Sequence, residues 1–197
     1  MTTDAWYPAE PLEVSAWLRG VDVVWWIAGG WAIDLHLERV TRNHTDADVG
    51  ILYRDASGVL GALTGWEFFE AKGGTLTELP SGAAPRSGVS SLWGRHLGSS
   101  RWELEIMLDQ ADADDWVYRR APQIRRPLAE TLSRARCGIR YLAPEIQLLY
   151  KSKVMRPCDE DDFRATLPAL STHAREWLKG SLAISQPAHR WIAELEV

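Results

Sequence analysis

Three features of the chain predict an α/β fold followed by a helical C-terminal lobe. A β-branched and aromatic run, Val23-Val24-Trp25-Trp26-Ile27, stops at the pair Gly29-Gly30. Two later stretches alternate acidic with apolar residues, one around Asp46 and Asp48 and one around Glu105. From Tyr141 onward the apolar spacing turns helical. Alternation of period two marks strands, and recurrence at three and four marks helices.

The elements follow in order. Residues 11–19 fit a short helix through Leu12, Val14, Ala16 and Leu18, with Gly20 as its stop. A buried strand over 21–27 comes next, then a helix over 31–38 carrying Ala32, Ile33, Leu35 and Leu37. A second strand begins at Asp46. Strand side chains alternate, so Asp46 and Asp48 share one face, about 7 Å apart at Cα, while Ala47 and Val49 take the other.

Residues 58–63 read as a helix, and Trp66, Phe68 and Phe69 as a strand. The segment 72–98, dense in Gly, Ser and Pro, reads as loops and short strands. Residues 101–109 form a clear strand, with Leu104, Ile106 and Leu108 opposite Glu103, Glu105 and Met107, and residues 109–115 an acidic turn. Pro144 suits a first helical turn, and 161–170 and 173–178 are also helical. The lobes divide between about Gln110 and Pro127, giving a catalytic domain over 1–115 and a mainly helical lobe over 116–197.

Composition excludes several functions. Of 197 residues, 46% are hydrophobic and 25% charged, as in ordinary globular chains, so a packed core is expected. The net charge of -5 argues against binding duplex nucleic acid, which needs a basic stripe to displace counterions. Cys137 and Cys158 match no metal or redox spacing and are expected as free thiols. The first 13 residues lack the apolar core of a signal peptide, and no apolar stretch approaches the roughly 20 residues of a membrane span. A cytoplasmic protein is expected.

The chemistry is expected where three elements converge. A glycine pair opening a helix removes Cβ atoms and turns free N–H groups toward an anion, which suits a triphosphate and equally any tight turn. Asp46 and Asp48 on a half-buried strand suit divalent cations, two of which, about 3.5 to 4 Å apart, can grip nucleotide phosphates. Glu105, with Glu103 as the competing choice, can complete the cluster and accept a proton from an attacking hydroxyl. Arg42, His44, Lys151 and Lys153 are candidate phosphate contacts, Lys151 foremost, although His44 equally suits hydrogen bonding within its turn. Asp34 is expected on the helix surface, paired with Arg39 or Arg42. Trp25, Trp26 and Trp31 are expected in the core, and Trp93 and Trp102 in the core or stacked on a ligand.

The run Gly29-Gly30-Trp31-Ala32-Ile33-Asp34, followed by Arg39-Val40-Thr41-Arg42-Asn43-His44-Thr45-Asp46-Ala47-Asp48, resembles antibiotic nucleotidyltransferases of the DNA polymerase β-like superfamily, the aminoglycoside 2″- and lincosamide types above all. Residues 139–153 and 159–163 resemble the C-terminal helical part of such enzymes. The resemblance implies the nucleotidyltransferase fold, a short mixed sheet flanked by helices. It implies Asp46, Asp48 and Glu105 as metal ligands and catalytic groups, with Gly29 and Gly30 near the triphosphate. Two Mg²⁺ ions, a nucleoside triphosphate such as ATP, and a hydroxylated small-molecule acceptor, aminoglycoside-like in the first instance, would be the partners. It departs at the third acid, where this chain has Glu105 and the family usually has Asp. The alternatives are a nucleotide-binding protein without turnover, or a transferase acting on RNA or protein.

Overall fold

The computed structural model describes residues 6–196. The opening residues of the segment read above for a signal peptide, 1–5, lie outside that range. Helix α1 (Pro11–Trp17) leads to strand β1 (Trp25–Ile27), helix α2 (Gly29–Leu37) and strand β2 (Asp48–Leu52). Helix α3 (Ala56–Ala62) precedes β3 (Trp66–Lys72), β4 (Thr75–Leu79), β5 (Ser91–His96) and β6 (Leu104–Asp112). Four short strands follow, β7 (Asp115–Val117), β8 (Arg125–Pro127), β9 (Leu132–Arg134) and β10 (Arg140–Leu142). The chain closes with α4 (Pro144–Lys151), α5 (Pro157–Thr166), α6 (Thr172–Ser185) and α7 (Trp191–Glu194).

The sheet runs β4-β3-β5-β6-β2-β1-β10-β9, with β7 and β8 branching from the end of β6. It is mixed: β2–β6 and β1–β10 are parallel pairs and the others antiparallel. This is the expected α/β architecture, a mixed sheet flanked by helices with a small helical lobe at the C-terminus.

Alternation along the strands separates two cores. Val49 and Ile51 of β2 with Leu104, Ile106 and Leu108 of β6 pack under α1 and α3, against Val14, Leu18 and Val59. The opposite face supplies Trp26 and Leu52 to a second core with Trp116, Tyr118, Ile146, Leu149, Phe163, Leu182 and Trp191. Phe163 and Trp191 stack there at 4.1 Å between centroids, with their planes nearly parallel. Between this second core and the sheet lies the cleft described below.

Four expectations change. β1 covers three residues rather than seven, its pairing with β2 running from Trp25 opposite Ile51 to Ile27 opposite Val49. The second strand starts at Asp48 and leaves Asp46 in the loop before it. The acidic turn is shorter than read: β6 runs on to Asp112 and forms a hairpin with β7, so Asp109 is a buried strand residue. The 115/116 division falls in that hairpin. Strands β9 and β10 beyond it complete the main sheet, and helices begin at Pro144. Among the described residues no helix is long and apolar enough to cross a membrane.

Candidate active site

Parallel pairing of β2 with β6 places Asp48 directly beside Glu105. The backbone fastens the adjoining loop: the N–H of Glu105 donates to the carbonyl of Ala47, and the N–H of Ala28 donates to that of Asp48. Asp46, Asp48 and Glu105 thereby each offer a carboxylate oxygen, all within 4.8 Å of one another, and all three residues are half-buried. Burial drives the Asp48 carboxyl well above the usual carboxylate range, and the neighbouring Glu105 and Asp46 push it further against the pull of Lys151 and Arg156. Burial raises Glu105 as well, and Asp46 adds to the effect, while a 2.6 Å hydrogen bond from Ser91 Oγ opposes it. Glu103 lies outside this cluster, accepting from the backbone N–H and contacting the ring Nδ1 of His96.

The glycine pair makes room for neighbouring side chains of the site. Gly29 adopts φ +64°, a left-handed conformation, and a Cβ there would overlap the Asp48 carboxylate. A Cβ on Gly30 would overlap the Arg42 guanidinium and the His44 ring. The missing side chains thus make room first for the site's own residues. The amide of Gly29, expected to face an anion, donates to Gln147 Oε1 at 2.8 Å, so helix α4 ties down the start of α2.

His44 is placed as a brace. Its ring stacks on Trp31 at 4.1 Å and its Nε2 meets Asp34 Oδ2 at 2.6 Å, with both side chains almost fully buried. The surface ion pair expected for Asp34 is not what forms: the residue is only 4% exposed and also accepts from the backbone N–H and hydroxyl of Thr41. Burial works to raise its pKa, but the hydrogen bonds from His44 and Thr41 prevail and hold it below the ordinary value. The polar segment between α2 and β2 is thereby folded back on the helix, which sets the approach of Asp46.

Cations line the other wall. Arg42 makes a bidentate pair with Asp162 at 3.0 and 3.1 Å. Lys151 lies between Asp159 at 3.2 Å and Asp162 at 2.8 Å, and Arg156 reaches Asp159 at 3.0 Å. Arg42, Lys151 and Arg156 line the cleft; Lys153 does not, being exposed in the turn after α4.

The cleft has a volume of about 520 Å³ and includes Gly29, Gly30, Asp46, Asp48 and Glu105 in its lining. Sequence reasoning missed Gln147, Ser91, Asp109, Arg119, Arg120, Tyr150 and Arg156. Asp109 follows Glu105 and Met107 on the same face of β6, and Tyr150 donates to its Oδ1 at 2.7 Å. The even spacing of Glu105, Met107 and Asp109 was a usable signal for that residue. The others arrive from distant segments and carried none.

Three clustered carboxylates without a cation of their own, two of them with raised pKa values, are unfavourable unless protonated or neutralised. Hard oxygen donors at this spacing suit a divalent cation such as Mg²⁺ or Mn²⁺, so the residues present fit a metal site.

Residues 11–71 match the family model described as aminoglycoside-2''-adenylyltransferase. Curated 2''-aminoglycoside nucleotidyltransferases from Escherichia coli and Klebsiella pneumoniae are 28% identical over 132 residues, spanning 51% of this chain and 73% of each relative. Two solved structures share the fold. The antibiotic-resistance factor ANT(2'')-Ia in complex with adenylyl-2''-tobramycin superposes with a TM-score of 0.57 at 17% identity, covering 86% of this chain and 93% of that one. The lincomycin-bound lincosamide antibiotic adenylyltransferase LnuA gives 0.57 at 18% identity, covering 82% and 96%. The chain has the fold of these two structures, and its sequence is similar to the 2''-aminoglycoside nucleotidyltransferases at low identity.

Proposed function

We propose that the protein transfers a nucleoside monophosphate, AMP in the first instance, from a nucleoside triphosphate to a hydroxyl of a small molecule, in the cytoplasm and with release of pyrophosphate. The observation that carries this reading is the meeting of Asp46, Asp48 and Glu105 within 4.8 Å at the mouth of a glycine-opened helix. The names of the matched relatives make aminoglycosides the first acceptors to assay.

Asp46, Asp48 and Glu105 would hold two Mg²⁺ ions, which when bound neutralise the phosphates and the developing charge at phosphorus. The acceptor oxygen bonds to the α-phosphorus as the bond to the bridging oxygen of the β-phosphate breaks, and pyrophosphate leaves. Glu105, the third acid of the cluster, receives the hydroxyl proton. Lys151, Arg42 and Arg156, held in place by Asp159 and Asp162, offset the triphosphate charge from the opposite wall. Gly29 and Gly30 keep that approach clear of side chains. Residues 1–115 supply the acids, the glycines and Arg42, and 116–197 supply Lys151, Arg156 and the aspartates that hold the cations.

Incubation with Mg²⁺, each of the four triphosphates and a panel of hydroxylated acceptors tests this reading. It predicts pyrophosphate release together with a product heavier by one nucleoside monophosphate. Pyrophosphate release that is unchanged in Asp48→Asn would remove the site assignment.

A further inference from the structure

The cations of the cleft divide into two sets. Arg42, Lys151 and Arg156 are each paired with Asp159 or Asp162, and Lys151 and Arg156 act electrostatically on Asp48. Arg119 and Arg120 line the same cleft but have no carboxylate partner within 4 Å among the described residues. Both pack instead against the Tyr150 ring, whose hydroxyl donates to Asp109 of β6. The paired cations thus stand with Asp159 and Asp162, and the unpaired arginines stand with Tyr150 and Asp109, which follows Glu105 and Met107 on the same face of β6.

The turn that carries the unpaired arginines is firmly mounted. Their turn, between β7 and β8, is closed by backbone hydrogen bonds from Tyr118 to Ile124 at 3.0 Å and from Ala121 to Tyr118 at 3.0 Å. Tyr118, Ala121 and Ile124 are buried in the second core. Arg120 donates to the Tyr150 carbonyl at 3.0 Å, and its guanidinium lies 5.4 Å from the Tyr150 ring centre and 5.9 Å from that of Tyr118. Arg119 lies 5.9 Å from the Tyr150 ring. A preorganised guanidinium with donors to spare is suited to phosphate or carboxylate oxygens and repels ammonium groups.

We propose that Arg119 and Arg120 form the acceptor wall of the cleft and select a hydroxylated acceptor that carries a phosphate or carboxylate group, in preference to a polycation. The proposal rests on the nucleotidyl-transfer reading and narrows its acceptor. The Glu105 side is where the attacking hydroxyl must lie, since Glu105 takes its proton. Asp109, buried at 6% exposure and already bonded to Tyr150, offsets the two guanidinium groups only in part.

The test compares pyrophosphate release from Mg²⁺-ATP with ribose 5-phosphate, gluconate, ribose and tobramycin, in the wild type, Arg119→Gln and Arg119→Lys. Arg119 makes no side-chain hydrogen bond among the described residues, so its loss should leave the melting temperature within a degree or two, about the effect of an ordinary surface substitution. The wild type should favour an anionic acceptor over ribose and tobramycin, with ribose 5-phosphate and gluconate separating phosphate from carboxylate recognition. In Arg119→Gln the KM for the favoured anionic acceptor should rise about tenfold or more, with partial recovery in Arg119→Lys. The melting shift given by Mg²⁺-ATP should be unchanged in both variants. Preference for tobramycin or ribose, a KM unaffected by Arg119→Gln, or loss of the ATP-induced shift would overturn the acceptor assignment. Release from none of the four acceptors would also overturn it if the ATP-induced shift persists in the wild type. If that shift is absent too, the transfer reading itself fails.

Discussion

Asp48 and Glu105 are registered neighbours on the parallel strands β2 and β6, two acids brought side by side by sheet pairing between segments more than fifty residues apart. With Asp46 beside them, Glu105 and Asp46 disfavour the ionisation of Asp48, and Asp46 disfavours that of Glu105. Replacing Asp48 by Asn removes one of these charges. Without metal, the variant should melt no lower than the wild type, since relieved repulsion offsets any packing change. Its melting shift with Mg²⁺ plus ATP should vanish, and turnover should fall about a hundredfold or more. Scanning calorimetry with and without metal-nucleotide checks both; a full ligand-induced shift in the variant would contradict the assignment.

Gly29→Ala should be severe for two reasons. The residue is left-handed, and the new methyl group would overlap the Asp48 carboxylate. A stability loss of about 1–3 kcal/mol is expected in urea denaturation, with a larger proportional loss of turnover because the acid itself is displaced. Gly30→Ala should act through Arg42 and His44 instead. A stable, fully active Gly29→Ala protein would show that Asp48 has another position open to it.

Asp162 joins Arg42 and Lys151 and has a side chain only 1% exposed. Asp162→Asn leaves those cations with less compensation and should destabilise by about 3 kcal/mol. Equilibrium unfolding measures this; a change below about 0.5 kcal/mol, typical of surface sites, would remove Asp162 from the wall's support.

Asp34 gives the pH dependence its sign. Its pKa is held below the usual 3.8 by His44 and Thr41 despite burial, so its contribution to stability is present above pH 3.8 and is lost as pH falls through the lowered folded-state value. Asp34→Asn should therefore lower the melting temperature most near neutrality, by the equivalent of about 1.5–3 kcal/mol, and the gap to wild type should close below pH 3.8. A gap that widens on acidification would contradict the brace.

Much of this site was legible before the fold was known, for local reasons. The spacing of Asp46 and Asp48 and the stop at Gly29 and Gly30 are short-range patterns, and period-two alternation marked β6 and kept Glu105 distinct from the apolar Leu104 face. The choice of Glu105 over Glu103 needed the register of β2 against β6, which no single strand encodes. Strands β7 to β10 have three residues each, too few for a period to emerge, so the sheet extends further along the chain than its pattern suggests. The sequence places Asp34 on the helix surface and leaves His44 between a phosphate contact and a hydrogen bond within its turn; their mutual hydrogen bond is what makes their burial favourable. Gln147, Arg119 and Arg120 depend on α4 and the β7–β8 turn folding over the sheet, a relationship set by tertiary packing.

A crystal structure of the protein grown with Mn²⁺ and a non-hydrolysable ATP analogue, phased on the manganese anomalous signal, bears on the whole account. Manganese should lie within about 2.0–2.4 Å of carboxylate oxygens from Asp46, Asp48 and Glu105, with the α-phosphate between that cluster and Lys151. Manganese or nucleotide bound elsewhere, with those three carboxylates free of both, would contradict it.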